Sequence, residues 1–486
     1  MTGHIDRSNK NSFFKDNKLL FRFIVDKIYL INMKIAPPKD FTEFAANVKG
    51  VLDAVSSCFC IAKWSRTTIN LHNGTTHSCH IPPPHEISLQ EIATNPAALN
   101  NTGQKIEERK KMVGGERPAS CNACWQVEDL HAGSISNRIV KSGHESATHM
   151  IPAILNDPFS TKLNPTYVEV SFSNKCQFKC SYCSAKYSSA WEEEILKFGN
   201  YPGVQTLTDK NLQEKTNPYI AAFWEWWPEL KKTLHTFRIT GGEPLLAAST
   251  FKILENLLVQ PEPNLTLAVN SNLGVPLVLF EKFNSIVHQI NKEKAVKKVE
   301  LFASIDCDGL QAEYIRYGLD HKVFWTNADS FLELNFESRI TIMCTFNALS
   351  LFSFIPLLQK IMSLNVKHQN SSRVIPIFID LSYLHAPEYQ CVQVLPASYL
   401  ENMEAIVNFI SDHQIKDQPY KGGFTEGQKV QAKRILELMR RGVSPETKLS
   451  MQKKFYEFFS EHDRRRNTDF VKTFPELNSF WEKCQS

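Results

Sequence analysis

From about residue 165 onward, short runs of β-branched and aromatic residues alternate with longer stretches whose apolar positions recur every three or four residues. The short runs predict strands over 167–172, 235–240, 265–271, 299–305, 339–345 and 375–381, and the longer patterns predict helices such as 245–258, 277–290, 323–334 and 349–362. Strand-then-helix units in series imply parallel strands joined by crossover helices, as a doubly wound sheet or a partial barrel. In both architectures ligands sit at the carboxyl ends of the strands. Polar or special-geometry segments fall there: Cys176 after the first strand, Gly241-Gly242-Glu243-Pro244 after the second, Asn270-Ser271-Asn272 ending the third, and Ser304 with Asp306 ending the fourth. Such a set would converge on one rim.

The remaining chain has other textures. Residues 49–130 carry a predicted hairpin over 69–78, with Asn73-Gly74 as its turn signal. Residues 400–486 read as charged and helical, with Pro and Gly breaks near 419–423. The division predicted is an extension over 1–48, a cysteine-rich module over 49–150, an α/β core over 160–396 and a helical region over 397–486.

Composition narrows the class. The 486 residues, 42% hydrophobic and 22% charged, describe a globular chain able to bury several cores. Lys and Arg number 55 against 51 Asp and Glu, so charge does not point to nucleic acid. The apolar stretch 19–33 is broken by Arg22, Asp26 and Lys27, too soon for a membrane helix, and no small-residue cleavage site follows it. A cytoplasmic protein is expected, with Met33 as an alternative start.

The 12 cysteines point to metal rather than disulfides in a reducing compartment. Cys176, Cys180 and Cys183 place three thiols in one short loop after a strand. Three thiolates on a 4Fe-4S cluster leave one iron open, as a site that activates a substrate requires. Zinc would want a fourth ligand, and the next twenty or so residues hold no Cys or His. A second set, Cys60, Cys79, Cys121 and Cys124, would make a closed site. Its spacing suits zinc or a fully ligated 4Fe-4S cluster equally.

The CxxxCxxC loop with Tyr182 before its last cysteine, followed by GGEP after the next strand, resembles the radical S-adenosylmethionine (SAM) superfamily. The resemblance spans about residues 165–396 and implies a partial (β/α)6 TIM-like barrel. It implies Cys176, Cys180 and Cys183 as ligands of a SAM-binding 4Fe-4S cluster. Tyr182 would lie near the adenine, and Gly241, Gly242, Glu243 and Pro244 would receive the SAM amino group. Asn270, Ser304 and Arg316 would make further cofactor contacts, and backbone around residues 379–381 would meet the adenine. Cys-x13-Gly-x4-Cys with a later CxxC is similar to the SPASM/twitch auxiliary-cluster module, here placed before the barrel rather than after it. That similarity implies a second 4Fe-4S cluster on Cys60, Cys79, Cys121 and Cys124, with zinc as the alternative.

The implied activity is reductive cleavage of SAM to a 5′-deoxyadenosyl radical that abstracts hydrogen from a substrate, with a peptide or protein foremost and a small molecule or nucleotide as the alternative. An electron donor such as flavodoxin or ferredoxin is the implied partner. A non-catalytic iron–sulfur or zinc protein that binds a partner is the reading from another class. Asp306 and Asp380, near strand ends, are candidate proton acceptors. His77, His80 and His85 are expected to pack rather than ligate, and Cys58 to be the substitute ligand. Aromatic Phe223–Trp227 is expected in the core, and the basic runs 433–434, 440–441 and 464–466 on a solvated helical face.

Overall fold

The computed structural model describes residues 41–131, 133–203, 211–415 and 422–485. The expectations placed on residues 1–40, including Met33 and the apolar stretch 19–33, lie outside the described residues. The chain divides into two compact units, one of Met1–Val170 with Leu212–Arg238, the other of Ser171–Asn211 with Ile239–Ser486.

The predicted strands of the core all form, as β4 (Tyr167–Ser171), β6 (Thr236–Thr240), β7 (Glu262–Ser271), β8 (Val296–Ser304), β10 (Arg339–Phe346) and β11 (Ile377–Tyr383). The strands that lie wholly in the second unit, in the spatial order β7-β8-β10-β11, follow the chain without reversal. A doubly wound sheet reverses direction at a switch point. Unreversed order with crossovers of one hand puts every helix on the same face and curls the sheet toward a barrel. The pairs β7–β8, β8–β10 and β10–β11 are parallel. The structure is thus mixed α/β with a large parallel sheet, as a partial barrel requires. One face of the strands is apolar and closed off, with Leu267, Val269, Leu301, Ala303, Ile342 and Ile379 all 0% exposed, while the other carries half-buried and more polar residues such as Glu300, Ser304, Thr341 and Asp380.

Helices Ala248–Val259, Leu277–Lys292, His321–Leu334 and Phe354–His368 form the crossovers. Beyond β11, helices Leu400–Asp412, Glu426–Arg441 and Pro445–Arg466 belong to the same unit as the core. Side chains of the second of these cap the edge strand. Gln428 donates to Ile379 O at 3.0 Å, and Gln431 Oε1 accepts from Leu381 N at 3.2 Å.

In the other unit, β1 (Arg66–Asn70), β2 (Thr75–His77) and β3 (His85–Glu86) form an antiparallel meander. The predicted hairpin is present, but its turn spans residues 71–74 rather than two residues. Gly74 sits at φ +69°, and a Cβ there would fall 2.2 Å from the Tyr219 ring, so this position excludes every side chain. The aromatic run lies on helix Pro218–Leu230, with Phe223, Trp226 and Trp227 buried. No helix among the described residues is long and apolar enough to cross a membrane.

Candidate active site and a second thiol cluster

The chain leaves β4 into the three-cysteine loop, which is tied down almost residue by residue. Cys176 N donates to Ser189 Oγ (3.2 Å), Trp191 Nε1 to Cys180 O (2.9 Å), Ser181 N to Ile315 O (2.7 Å) and Cys183 N to Cys180 O (2.9 Å). Buried Gln390 holds Ser181 twice, donating to its carbonyl at 3.0 Å and accepting from its hydroxyl at 2.8 Å. Lys179–Cys180 (β5) pairs antiparallel with Arg316–Tyr317 (β9), which sets Cys180 opposite Arg316.

The double glycine after β6 is required by the crossing of this loop. Gly241 adopts φ +123°, and a Cβ on Gly242 would meet Lys175 O at 2.4 Å and Asn174 O at 2.6 Å. Close approach lets Gly242 N donate to Ser173 O (3.0 Å) and Glu243 N to Lys175 O (2.7 Å). Glu243 then turns inward, accepting from Asn272 N at 2.6 Å and Leu245 N at 3.1 Å. Burial pushes its carboxyl up to about 7 despite these bonds.

One cavity of about 230 Å³ gathers these pieces. Cys176, Cys180, Cys183, Tyr182, Gly241, Gly242, Glu243, Pro244, Asn270, Ser304 and Arg316 all line it, so the structure brings these cluster-ligand and cofactor positions together, but not the backbone at 379–381. Ser271 and Asn272, expected on the same rim, line it as well, and Phe178, Tyr187 and Thr345 join them without having been anticipated. Ser271, Asn272 and Thr345 share the strand-end location that identified the others.

Asp306 and Asp380 do not line this cavity. Asp306 is 0% exposed, and its carboxylate is fully engaged. It accepts from Tyr182 OH (2.7 Å), Arg316 Nε (2.8 Å) and Nη2 (3.0 Å), and Thr345 N (2.8 Å). The geometry therefore makes it the anchor of Arg316 rather than a proton acceptor. The remaining nitrogen, Arg316 Nη1, lies 3.8 Å from Cys180 Sγ. Asp380 is bonded by Gln431 Nε2 at 2.7 Å. The backbone expected to meet an adenine, at residues 379–381, is occupied by Gln428 and Gln431.

The thiols are protonated unless a metal claims them. Burial pushes Cys176 and Cys183 up to about 12, reinforced in each by Cys180, while Cys180 itself is raised by burial against the opposing pull of Arg316 and Arg466. Three thiols beside an open cavity fit a cluster that keeps one iron free. Among the described residues, no three His, Cys, Asp or Glu are drawn close enough to hold a single ion.

The second set assembles in the other unit. Cys60, Cys79, Cys121 and Cys124 line one small space of about 10 Å³, together with Lys63 and Arg138. Cys121 and Cys124 come from the start of helix Asn122–Glu128 and the turn before it, and Cys79 follows β2. Cys79 and His80 both hold left-handed backbone, φ 51° and 55°, a conformation costly for residues with a Cβ. Lys141 Nζ donates to the Cys79 carbonyl at 2.7 Å, fixing the turn that aims its thiol. Each cation lining the space is anchored on carboxylates: Lys63 on Glu108, and Arg138 on Glu128 (2.8 Å) and Asp53 (3.4 Å). Burial, then repulsion from Cys79 and Cys121, pushes Cys60 up to about 12. Cys58 turns away, its thiol donating to Gly115 O at 3.4 Å. Burial and nearby cations push His77, His80 and His85 down to about 4, and none lines the space.

No family model matches the chain. GTP 3′,8-cyclase of Rhizobium meliloti (strain 1021) is 29% identical over 101 residues, which are 21% of this chain and 23% of that protein. GTP 3′,8-cyclase of Brucella ovis is 28% identical over the same length and shares. The chain thus matches less than a quarter of the length of these relatives. Streptococcus suis SuiB bound to S-adenosylmethionine aligns at a TM-score of 0.32 and 13% identity, over 73% of this chain and 70% of that one, a likeness too weak to carry an argument. The three-thiol loop crossed by its double glycine is the arrangement that the resemblance to the radical SAM superfamily implies, and the chain is similar to the GTP 3′,8-cyclases over one segment of 101 residues.

Proposed function

We propose that Cys176, Cys180 and Cys183 hold a 4Fe-4S cluster, that SAM binds in the adjoining cavity, and that the enzyme abstracts hydrogen from a peptide or protein. The observation that carries this reading is the 230 Å³ cavity shared by the three thiols with Tyr182, the Gly241–Pro244 turn, Asn270, Ser304 and Arg316. When bound, the cluster supplies the electron that breaks the SAM sulfonium–C5′ bond. The protein supplies orientation. Arg316, held by Asp306, presents positive charge beside Cys180, while Glu243, Asn270 and Ser304 offer polar groups around the same space.

The four-thiol space supports an auxiliary 4Fe-4S cluster, with zinc as the competing occupant. Its four thiols, three of them buried and faced by Lys63 and Arg138, supply the four-thiolate donor set that either centre uses. All 12 cysteines are free, which suits a reducing, cytoplasmic setting with a flavodoxin- or ferredoxin-type donor. The similarity to GTP 3′,8-cyclases favours a nucleotide as the second reading of the substrate.

Anaerobic reconstitution followed by dithionite and SAM tests the proposal. Formation of 5′-deoxyadenosine and methionine is expected. Iron should number about eight per chain, falling to about four when Cys176, Cys180 and Cys183 are all replaced by Ala. A loaded protein that never cleaves SAM would instead support a non-catalytic metal protein. Peptide mixtures and nucleoside triphosphates, offered separately, then decide the substrate by which one raises 5′-deoxyadenosine above background.

A further inference from the structure

The two-residue ribbon of β5 and β9 has two faces, because side chains alternate along a strand. Cys180 and Arg316 point to the cavity side. Lys179 and Tyr317, their neighbours, point to the other side and meet the last long helix, Pro445–Arg466. Arg466 ends that helix, and its side chain is 0% exposed. The sequence places it in a basic run expected on a solvated face. Arg464 fits that expectation at 59% side-chain exposure, but Arg465 and Arg466 do not, at 1% and 0%.

Arg466 reaches the ribbon directly. Its Nη1 donates to Lys179 O at 2.7 Å, and Tyr317 OH donates to the Arg466 carbonyl at 3.4 Å. Its Nε and Nη2 grip Glu194 at 3.2 and 3.1 Å, and Glu194 also accepts from Tyr201 OH (2.7 Å) and Lys179 Nζ (2.5 Å). The guanidinium carbon lies 4.8 Å from the Trp191 ring and 5.2 Å from the Tyr317 ring. This is the arrangement found on the front face, where Arg316 grips Asp306 and Asp306 accepts from Tyr182 OH. Cys180 therefore sits on a ribbon held between two buried tyrosine–carboxylate–arginine sets, one from the barrel and one completed by the C-terminal helix.

We propose that Arg466 is a positioning residue of the three-thiol site, and that the C-terminal helix is a brace for the cluster loop rather than a lid over the barrel. The helix fixes the back of the ribbon so that Cys180 and Arg316 keep their places, and it adds a second positive charge behind Cys180. The inference rests on the reading of Cys176, Cys180 and Cys183 as cluster ligands.

The test compares full-length wild type, Arg466→Met, Arg466→Lys and Arg464→Ala. Groups that orient metal ligands from behind cost about 10- to 100-fold in metal affinity when removed. Iron from the three-thiol site of Arg466→Met should therefore pass to a chelator about tenfold faster, and its midpoint potential, followed by electron paramagnetic resonance, should move negative. Arg466→Lys should keep the potential near wild type while losing iron faster, because charge remains and the paired bonds do not. Arg464→Ala should match wild type. Hydrogen–deuterium exchange should quicken at residues 176–190 in Arg466→Met while β7 and β8 stay protected. Equal chelation rate, potential and exchange in Arg466→Met and wild type would overturn the brace. Should Arg466→Met fail to fold, Tyr201→Phe removes one hydroxyl from the same set, and wild-type iron retention there would overturn it equally. Failure of the wild type to take up iron would instead sink the functional reading, and the brace with it.

Discussion

The three-thiol loop and the four-thiol space use the same residue to opposite ends. At the first, thiols at the open end of a parallel sheet border about 230 Å³ of space. At the second, the thiols close around about 10 Å³, no more than a water molecule needs. The first site leaves room for a ligand beside its three thiols, whereas the second has a fourth thiol there. Their electrostatics nonetheless agree. Buried cations face the thiols in both, Arg316 in one and Lys63 with Arg138 in the other, and each is anchored on a carboxylate. Thiols that burial keeps protonated need this positive surrounding, and the metal itself, to ionise. What separates the sites is vacancy, not charge.

The sharpest way to break this contrast is to remove one thiol from each site. Cys180→Ala should abolish 5′-deoxyadenosine formation while the four-thiol site keeps its metal; equal cleavage in variant and wild type would refute the open site. Cys121→Ala should spare uncoupled SAM cleavage and lose substrate product, as metal analysis and product assay together would show.

Gly242→Ala addresses the vacancy. A Cβ 2.4 Å from Lys175 O must push the two crossing loops apart, so iron retention at the three-thiol site should fall at least tenfold while the four-thiol site is unaffected. Asp306→Asn tests the anchored cation. Without the countercharge, Arg316 loses its bidentate hold, and SAM cleavage should drop about 10- to 100-fold with iron content near wild type.

The smallest effect expected is a pH dependence of stability. Burial alone would raise Glu194, but the hydrogen bonds and charge of Arg466, with those of Lys179 and Tyr201, hold it down at about 2. A carboxyl depressed in the folded state stabilises above its unfolded pKa and loses that contribution as pH falls through the folded value. Between about pH 4.5 and 2 the wild type should therefore lose up to about 3 kcal/mol that Glu194→Gln never had. Acid unfolding of the two proteins, followed by tryptophan fluorescence, measures the difference.

Much of this was legible along the chain because it is local. A strand declares itself by its own residues, and three thiols within one loop cannot help being neighbours, so the core strands and the cysteine loop needed no tertiary information. The rim positions were legible too, since in a parallel sheet every strand ends on the same side.

Contacts between distant segments decided the rest. Asp306 reads as a free carboxylate at a strand end until Arg316 and Tyr182 are brought to it. The backbone at 379–381 reads as an open edge until the helix Glu426–Arg441 covers it. Arg466 sits in a run of three arginines that the sequence cannot tell apart, and packing alone leaves Arg464 exposed while Arg465 and Arg466 are buried. A side chain's type and spacing determine what it is able to do, but whether it is free to act depends on partners hundreds of residues away, and only folding supplies those.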